Sequence, residues 1–234
     1  MAPLNQEQGS VALFPDRELV VCDLDGTLVD SVPDLTLCVD AMLTQVGLPP
    51  AGEAKVRQWV GNGVEPLVRR ALLGQMDGEP DADLFARSYP LFLELYAVNV
   101  CRRSRLFPGV EQGLDWLAAQ NIHLACVTNK AARYTLPLLK TLGIANRFAL
   151  VLSGDSLAEK KPSGLPLLHA AKHFGLNPEK CLMLGDSISD VKAARAANFP
   201  VVCLSYGYNH GMDIRTAEPD AVIDSLAELP ALLG

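Results

Sequence analysis

Asp23 and Asp25 stand two residues apart in Asp23-Leu24-Asp25-Gly26-Thr27, directly after the apolar run Leu19-Val20-Val21-Cys22. The run has the length and β-branched content of a buried strand, and Gly26 marks its end. Positions i and i+2 of a strand point the same way, so the two carboxylates emerge together at its carboxyl end. Two such acids repel unless a cation or a proton resolves them, which suits a catalytic or metal site. Taken alone, the pattern also fits a polar turn with two solvated acids. The elements around it decide.

From about residue 106 onward, short apolar runs alternate with helical patterns. Strands are expected at Ile122–Thr128, Phe148–Leu152, Cys181–Gly185, Val201–Leu204 and Ala221–Ile223. Helices are expected at Val110–Gln120, Tyr134–Leu142, Leu165–Phe174 and Val191–Ala197, with Gly143 and Gly175 as stops. Regular alternation implies a parallel sheet covered on both faces, an open α/β fold. Between Val32 and Arg105 the pattern changes to helices alone, at Asp34–Val46, Val64–Leu73 and Ala82–Val100. That block reads as an insertion, entered near Ser31–Pro33 and left near Ser104–Pro108, where proline limits the backbone. The expected organisation is a loose tail over 1–15, an α/β core over 16–32 and 106–234, and a helical cap over 33–105.

Open parallel sheets bind ligands beyond the carboxyl ends of their strands. There the first strand delivers Asp23 and Asp25, and the second delivers Thr128 with Asn129 and Lys130 behind it. The loop after the third holds Lys160-Lys161-Pro162, and the fourth ends in Gly185-Asp186-Ser187-Ile188-Ser189-Asp190. Each element alone has a dull explanation; their joint order and placement are much harder to dismiss.

Whole-chain properties narrow the class. The 234 residues hold 49% hydrophobic and 20% charged side chains, a globular composition with room for a core and an insertion. A net charge of −7 argues against nucleic acid as a general partner, so an anionic substrate needs a locally built positive site. The six cysteines form no C-x-x-C pair and mostly sit in apolar runs, which fits reduced thiols and a cytoplasmic location. The first fifteen residues hold no basic stretch followed by an apolar core, so no signal peptide is expected, and no run suits a membrane span.

The ordered motifs resemble those of the haloacid dehalogenase-like hydrolase superfamily. D-x-D-G-T matches Asp23 to Thr27, a strand-ending hydroxyl matches Thr128, a Lys before Pro matches Lys161, and G-D-x-x-x-D matches Gly185 to Asp190. Within it, the chain is similar to bacterial phosphoglycolate phosphatases through Asp23 to Leu35, Trp59-Val60-Gly61-Asn62-Gly63, Val127 to Lys130 and Tyr206 to Asn209. One departure is Gly164, where such enzymes usually carry a second proline, and it is expected to loosen the loop that bears Lys161.

The resemblance implies a Rossmann-like core with an all-helical cap and Mg²⁺-dependent hydrolysis of a small phosphate ester, 2-phosphoglycolate. It makes Asp23 the nucleophile, Asp25 the acid–base group and Lys161 the compensating charge. Mg²⁺ would be held by Asp23, the Asp25 main-chain carbonyl and Asp186, with Asp190 behind them orienting the metal site or Lys161. Thr128 and Asn129 would hold phosphate oxygens, and the Gly61-Asn62-Gly63 loop would face the substrate, its amides available to a small carboxylate. Read without the resemblance, that loop is a simple cap turn and lacks the full dinucleotide glycine pattern.

A phosphatase or phosphomutase for another sugar phosphate would use the same core motifs. A phosphonatase would need an activated cap lysine, and Lys55 lies in a charged stretch. A dehalogenase would not need Asp25 or a metal. A signalling receiver domain normally carries its acceptor on the third strand and needs no cap. His169 and His173 are spaced i, i+4 but lack the further ligands of a zinc helix.

Overall fold

The structure, a computed structural model, describes residues 12–234. In chain order, β1 (Leu19–Cys22) leads through a short β2 (Val29–Asp30) into four helices. These are α1 (Val32–Gln45), α2 (Glu53–Trp59), α3 (Val64–Leu73) and α4 (Ala82–Asn99). The chain then returns through β3 (Arg105–Leu106), which pairs antiparallel with β2. Next come α5 (Val110–Ala119), β4 (His123–Val127), α6 (Ala132–Thr141) and β5 (Leu150–Leu152). After them follow α7 (Leu165–His173), β6 (Cys181–Gly185), α8 (Ile188–Ala197), β7 (Val201–Leu204), β8 (Ala221–Ile223) and α9 (Leu229–Leu233).

Six strands form one sheet in the order β5-β4-β1-β6-β7-β8, and every neighbouring pair is parallel. All four residues of β1 are buried, as expected of a strand covered on both faces. Alternation divides them. Val20 and Cys22 join the layer with Leu114 of α5 and Leu138 of α6, whereas Leu19 and Val21 pack with Leu167 of α7 and Ala194 of α8. The result is the expected Rossmann-like core, with an all-helical insertion after its first strand.

Two connections join the helices to the core, and one side chain binds them together. The Asp34 carboxylate, in the first turn of α1, accepts from the amides of Arg103 and Ser104 and from the Ser104 hydroxyl at 2.7–2.9 Å. Above the hinge, α1 packs against α4 with Phe92 and Tyr96 fully buried.

One expectation needs correction. Residues 1–11 of the expected tail lie outside the described residues, but Phe14 is buried and its amide donates to the Leu232 carbonyl at 2.8 Å. An aromatic ring covered by the core is no longer tail. Gly164 has a packing role: an added Cβ would lie 2.9 Å from the Ala196 carbonyl carbon. The missing side chain lets the start of α7 approach the end of α8.

Candidate active site

Strand order reverses between β1 and β6, the place where doubly wound sheets open a crevice at their carboxyl ends. Asp23 and Asp25 leave β1 there, and Asp186 follows β6. Thr128 follows β4, whose end lies beside that of β1. The loop between β5 and α7 brings Lys161 into the crevice. Its ammonium lies 2.7 Å from Asp23 Oδ1 and 2.7 Å from Asp190 Oδ1, and the residue is only 3% exposed. Burial alone would lower that ammonium, but Asp190 and Asp23 outweigh it and hold it above its ordinary value.

The three acids differ in what they are given. Asp190 places one oxygen on Lys161, while the other accepts from the amides of Asp186 and Ser187 and the Ser187 hydroxyl. Asp186 accepts from the Thr27 hydroxyl and the Tyr208 amide, each at 2.6 Å. Burial, Asp190 and Asp23 still push its carboxyl well above the usual range. Asp23 is pushed up to about 7 by burial, with Lys161 pulling it down and Asp190 pushing it up. Next to it, burial raises the Cys22 thiol to about 12, which keeps that thiol neutral.

Glycine makes the crowding possible. A Cβ on Gly26 or Gly207 would collide with the Asp186 carboxylate, and Gly26 also has φ +93°.

A second buried ion pair lies beside the first. Lys130 Nζ contacts both oxygens of Asp25 at 2.9 and 2.8 Å, with the lysine 6% exposed. Burial would lower this ammonium too, but Asp25 and Tyr96 raise it above its ordinary value. Tyr96 comes from α4, and Lys130 Nζ sits 5.1 Å from its ring centroid.

The helices close over this edge. Asn129 Nδ2 donates to the Gly61 carbonyl at 3.3 Å, Lys160 Nζ to the Asn62 carbonyl at 3.1 Å, and His210 Nδ1 meets the Gln58 carbonyl at 2.7 Å. One cavity results. Asp23, Asp25, Thr128, Asn129 and Lys161 face it from the core, with Gly61 and Gly63 opposite. Two expected residues stand apart from its lining. Asp186 is buried behind it, and the Asn62 side chain turns away to accept from Arg70 at 2.9 Å.

Sequence reasoning placed Lys130 at a strand end without giving it a role and passed over Tyr96; both line the cavity. The signal for Lys130 was its place after a strand-ending Thr128-Asn129; Tyr96, mid-helix, carried none.

The family model for haloacid dehalogenase-like hydrolases matches residues 18–198. The chain belongs to that family. Over 222 residues it is 63% identical to the phosphoglycolate phosphatase of Nitrosococcus oceani, an alignment spanning 95% of this chain and 99% of the relative. It is 46% identical to the phosphoglycolate phosphatase of Thiobacillus denitrificans over 89% of this chain and 92% of that one. Among solved structures, a predicted phosphoglycolate phosphatase from Haemophilus somnus superposes with a TM-score of 0.86 at 40% identity. That match covers 92% of this chain and 97% of the other.

The donor set of this hydrolase suits a hard divalent cation. Carboxylate oxygens of Asp23, Asp186 and Asp190 all lie within 4.8 Å of one another and are buried. Asp190 has the Lys161 ammonium on one oxygen and two amides with a hydroxyl on the other, whereas Asp186 has neutral donors alone, and the carboxyls of Asp23 and Asp186 are both pushed up.

Proposed function

We propose that this chain is a Mg²⁺-dependent phosphatase that hydrolyses 2-phosphoglycolate to glycolate and phosphate through an aspartyl-phosphate on Asp23. The chemistry rests on one observation: a buried Asp23 held by Lys161 beside a second acid, Asp25, at the switch point of the sheet. The substrate rests on kinship with phosphoglycolate phosphatases at up to 63% identity over nearly the whole chain.

An Asp23 oxygen attacks phosphorus as the bond from phosphorus to the glycolate oxygen breaks. Asp25 gives the departing oxygen its proton, then takes one from the water that attacks the aspartyl-phosphate. That second displacement breaks the bond between phosphorus and Asp23 and restores the carboxylate. Thr128 and Asn129 hold phosphoryl oxygens, and Lys161, steadied by Asp190, compensates their charge. Asp23, Asp186 and the Asp25 main-chain carbonyl would hold Mg²⁺, which supplies positive charge against the phosphoryl oxygens and the crowded carboxylates.

Residues 33–105 form the cap in this reading, and residues 16–32 and 106–234 the catalytic core. Gly61 and Gly63 wall the cavity opposite the acids, so they limit the leaving group to a small one. All six cysteines are free, and among the described residues no helix is long and apolar enough to cross a membrane. Free thiols support a cytoplasmic setting.

The test is phosphate release from 2-phosphoglycolate, sugar phosphates and nucleotides, with and without Mg²⁺. A Mg²⁺-dependent kcat/KM about 100-fold above every other ester is the expected result. A preferred sugar phosphate would keep the core chemistry and overturn the substrate. No release from any ester by folded protein would overturn both.

A further inference from the structure

A leaving group that carries a carboxylate brings a charge into a cavity walled on the cap side by Val60, Val64 and Leu67. Such a charge needs a paired cation there. Two ammonium groups line the cavity among the described residues, Lys130 and Lys161. Lys161 already lies between Asp23 and Asp190 at the phosphoryl end. Lys130 has a single acidic partner, Asp25, and lies toward the cap.

A second donor waits beside it. The Tyr96 hydroxyl is buried beside the Lys130 ammonium, finds no acceptor for its own proton among the described residues, and belongs to a residue that lines the same cavity. An orphaned buried hydroxyl next to a buried ammonium is a site short of one acceptor.

The geometry points to Lys130 and Tyr96 as the receptor for the substrate's carboxylate, a place that Asp25 occupies in the free enzyme. This rests on the reading of the substrate as a small phosphorylated acid. Both Asp25 oxygens are engaged by Lys130, so neither faces a leaving oxygen until the pair opens. An incoming carboxylate takes the ammonium and the Tyr96 hydroxyl, and Asp25, no longer ion-paired, takes up a proton from solvent and turns toward the bridging oxygen. A phosphate ester without a carboxylate leaves Asp25 on Lys130. Specificity then enters kcat as well as KM, because the acid–base group is freed only by the right substrate.

The experiment compares 2-phosphoglycolate with 2-hydroxyethyl phosphate, which replaces the carboxylate by a neutral CH₂OH, on wild type, Lys130→Gln and Tyr96→Phe with Mg²⁺ present. Wild type should favour 2-phosphoglycolate by about 100-fold, with the difference divided between kcat and KM. In Lys130→Gln that preference should collapse to below about 10-fold, and Tyr96→Phe should lose about 10-fold on 2-phosphoglycolate alone. Equal losses on both esters in the two variants would make Lys130 and Tyr96 supports of Asp25 and overturn the assignment.

Should Lys130→Gln fail to fold, inhibition of the wild type by glycolate and by ethylene glycol decides instead. Glycolate should inhibit at a concentration at least about 30-fold lower. Equal inhibition would overturn the assignment. A wild type that prefers a different ester altogether overturns the substrate reading; one that prefers 2-phosphoglycolate through an unaltered preference in both variants overturns the receptor alone.

Discussion

Asp34 and Asp186 are both buried acids, one in the first turn of α1 and one just past β6, yet their surroundings are opposite. Asp34 receives two amides and a hydroxyl where the two connections meet, and among the described residues no lysine pairs with it. Asp186 has two donors but faces Asp190 and Asp23, which together with burial push its carboxyl up. Donors counted against charge separate the two roles. A buried acid supplied with neutral donors holds structure together, whereas acids buried against one another store a demand for a cation.

The comparison breaks most sharply at Asp23. Asp23→Asn should lower kcat/KM by about 10,000-fold or more, the scale of losing a nucleophile. The thermal midpoint of the metal-free protein should not fall. A variant that retains activity, with deamidation excluded by mass spectrometry, would remove Asp23 from the chemistry.

At the hinge the pattern should invert. Asp34→Ala leaves buried amides unpaired and should cost about 3 kcal/mol of stability. Activity per folded molecule should change by less than about 10-fold, since Asp34 lies outside the cavity. Denaturant unfolding alongside steady-state kinetics checks both halves.

pH should sharpen the contrast. Asp23 is held near 7 in the fold, against about 4 in an unfolded chain. Between those values the unfolded chain gives up a proton that the folded protein retains, so ionisation favours unfolding. The stability contribution is therefore fully present below about pH 4 and declines as pH rises toward 7. In chelator, wild type should melt lower at pH 8 than at pH 5.5, and Asp23→Asn should show a smaller decline. Mg²⁺ should raise the midpoint more at pH 8.

The smallest effect belongs to Asp220, an acid far from the site. Burial would raise it, but Arg195 and the Val201 amide, both 2.7 Å away, outweigh that and hold it below the usual carboxylate range. Asp220→Asn should cost about 0.5–1 kcal/mol at pH 7. Because the wild-type carboxylate is the stabilised form, that difference should shrink as pH falls through about 4 and below.

Much of the fold was legible because it follows local rules. β6, β7, β8 and α3 occupy the ranges that apolar pattern and turn residues assign to them. α8 starts at Ile188, three residues before the apolar pattern suggests. Asp190 accepts from the Ser187 amide and so nucleates a first turn that is polar. α2 left little periodic signal, with only Val56 and Trp59 buried in seven residues.

Residue order alone marks the six strands of the parallel sheet, but not the short β2 and β3, and puts Asp23, Asp25, Thr128, Lys161, Asp186 and Asp190 at or just past strand ends. Side-chain period and turn chemistry act over a few residues, so a linear reading captures them. Which charge meets which follows from packing in three dimensions: Lys161 with Asp23 and Asp190, Lys130 with Asp25, and Tyr96 reaching in from α4. Lys130 and Asp25 are 105 positions apart along the chain. Coulombic pairing in a buried site depends on distances of a few ångströms that only strand order and helix packing create.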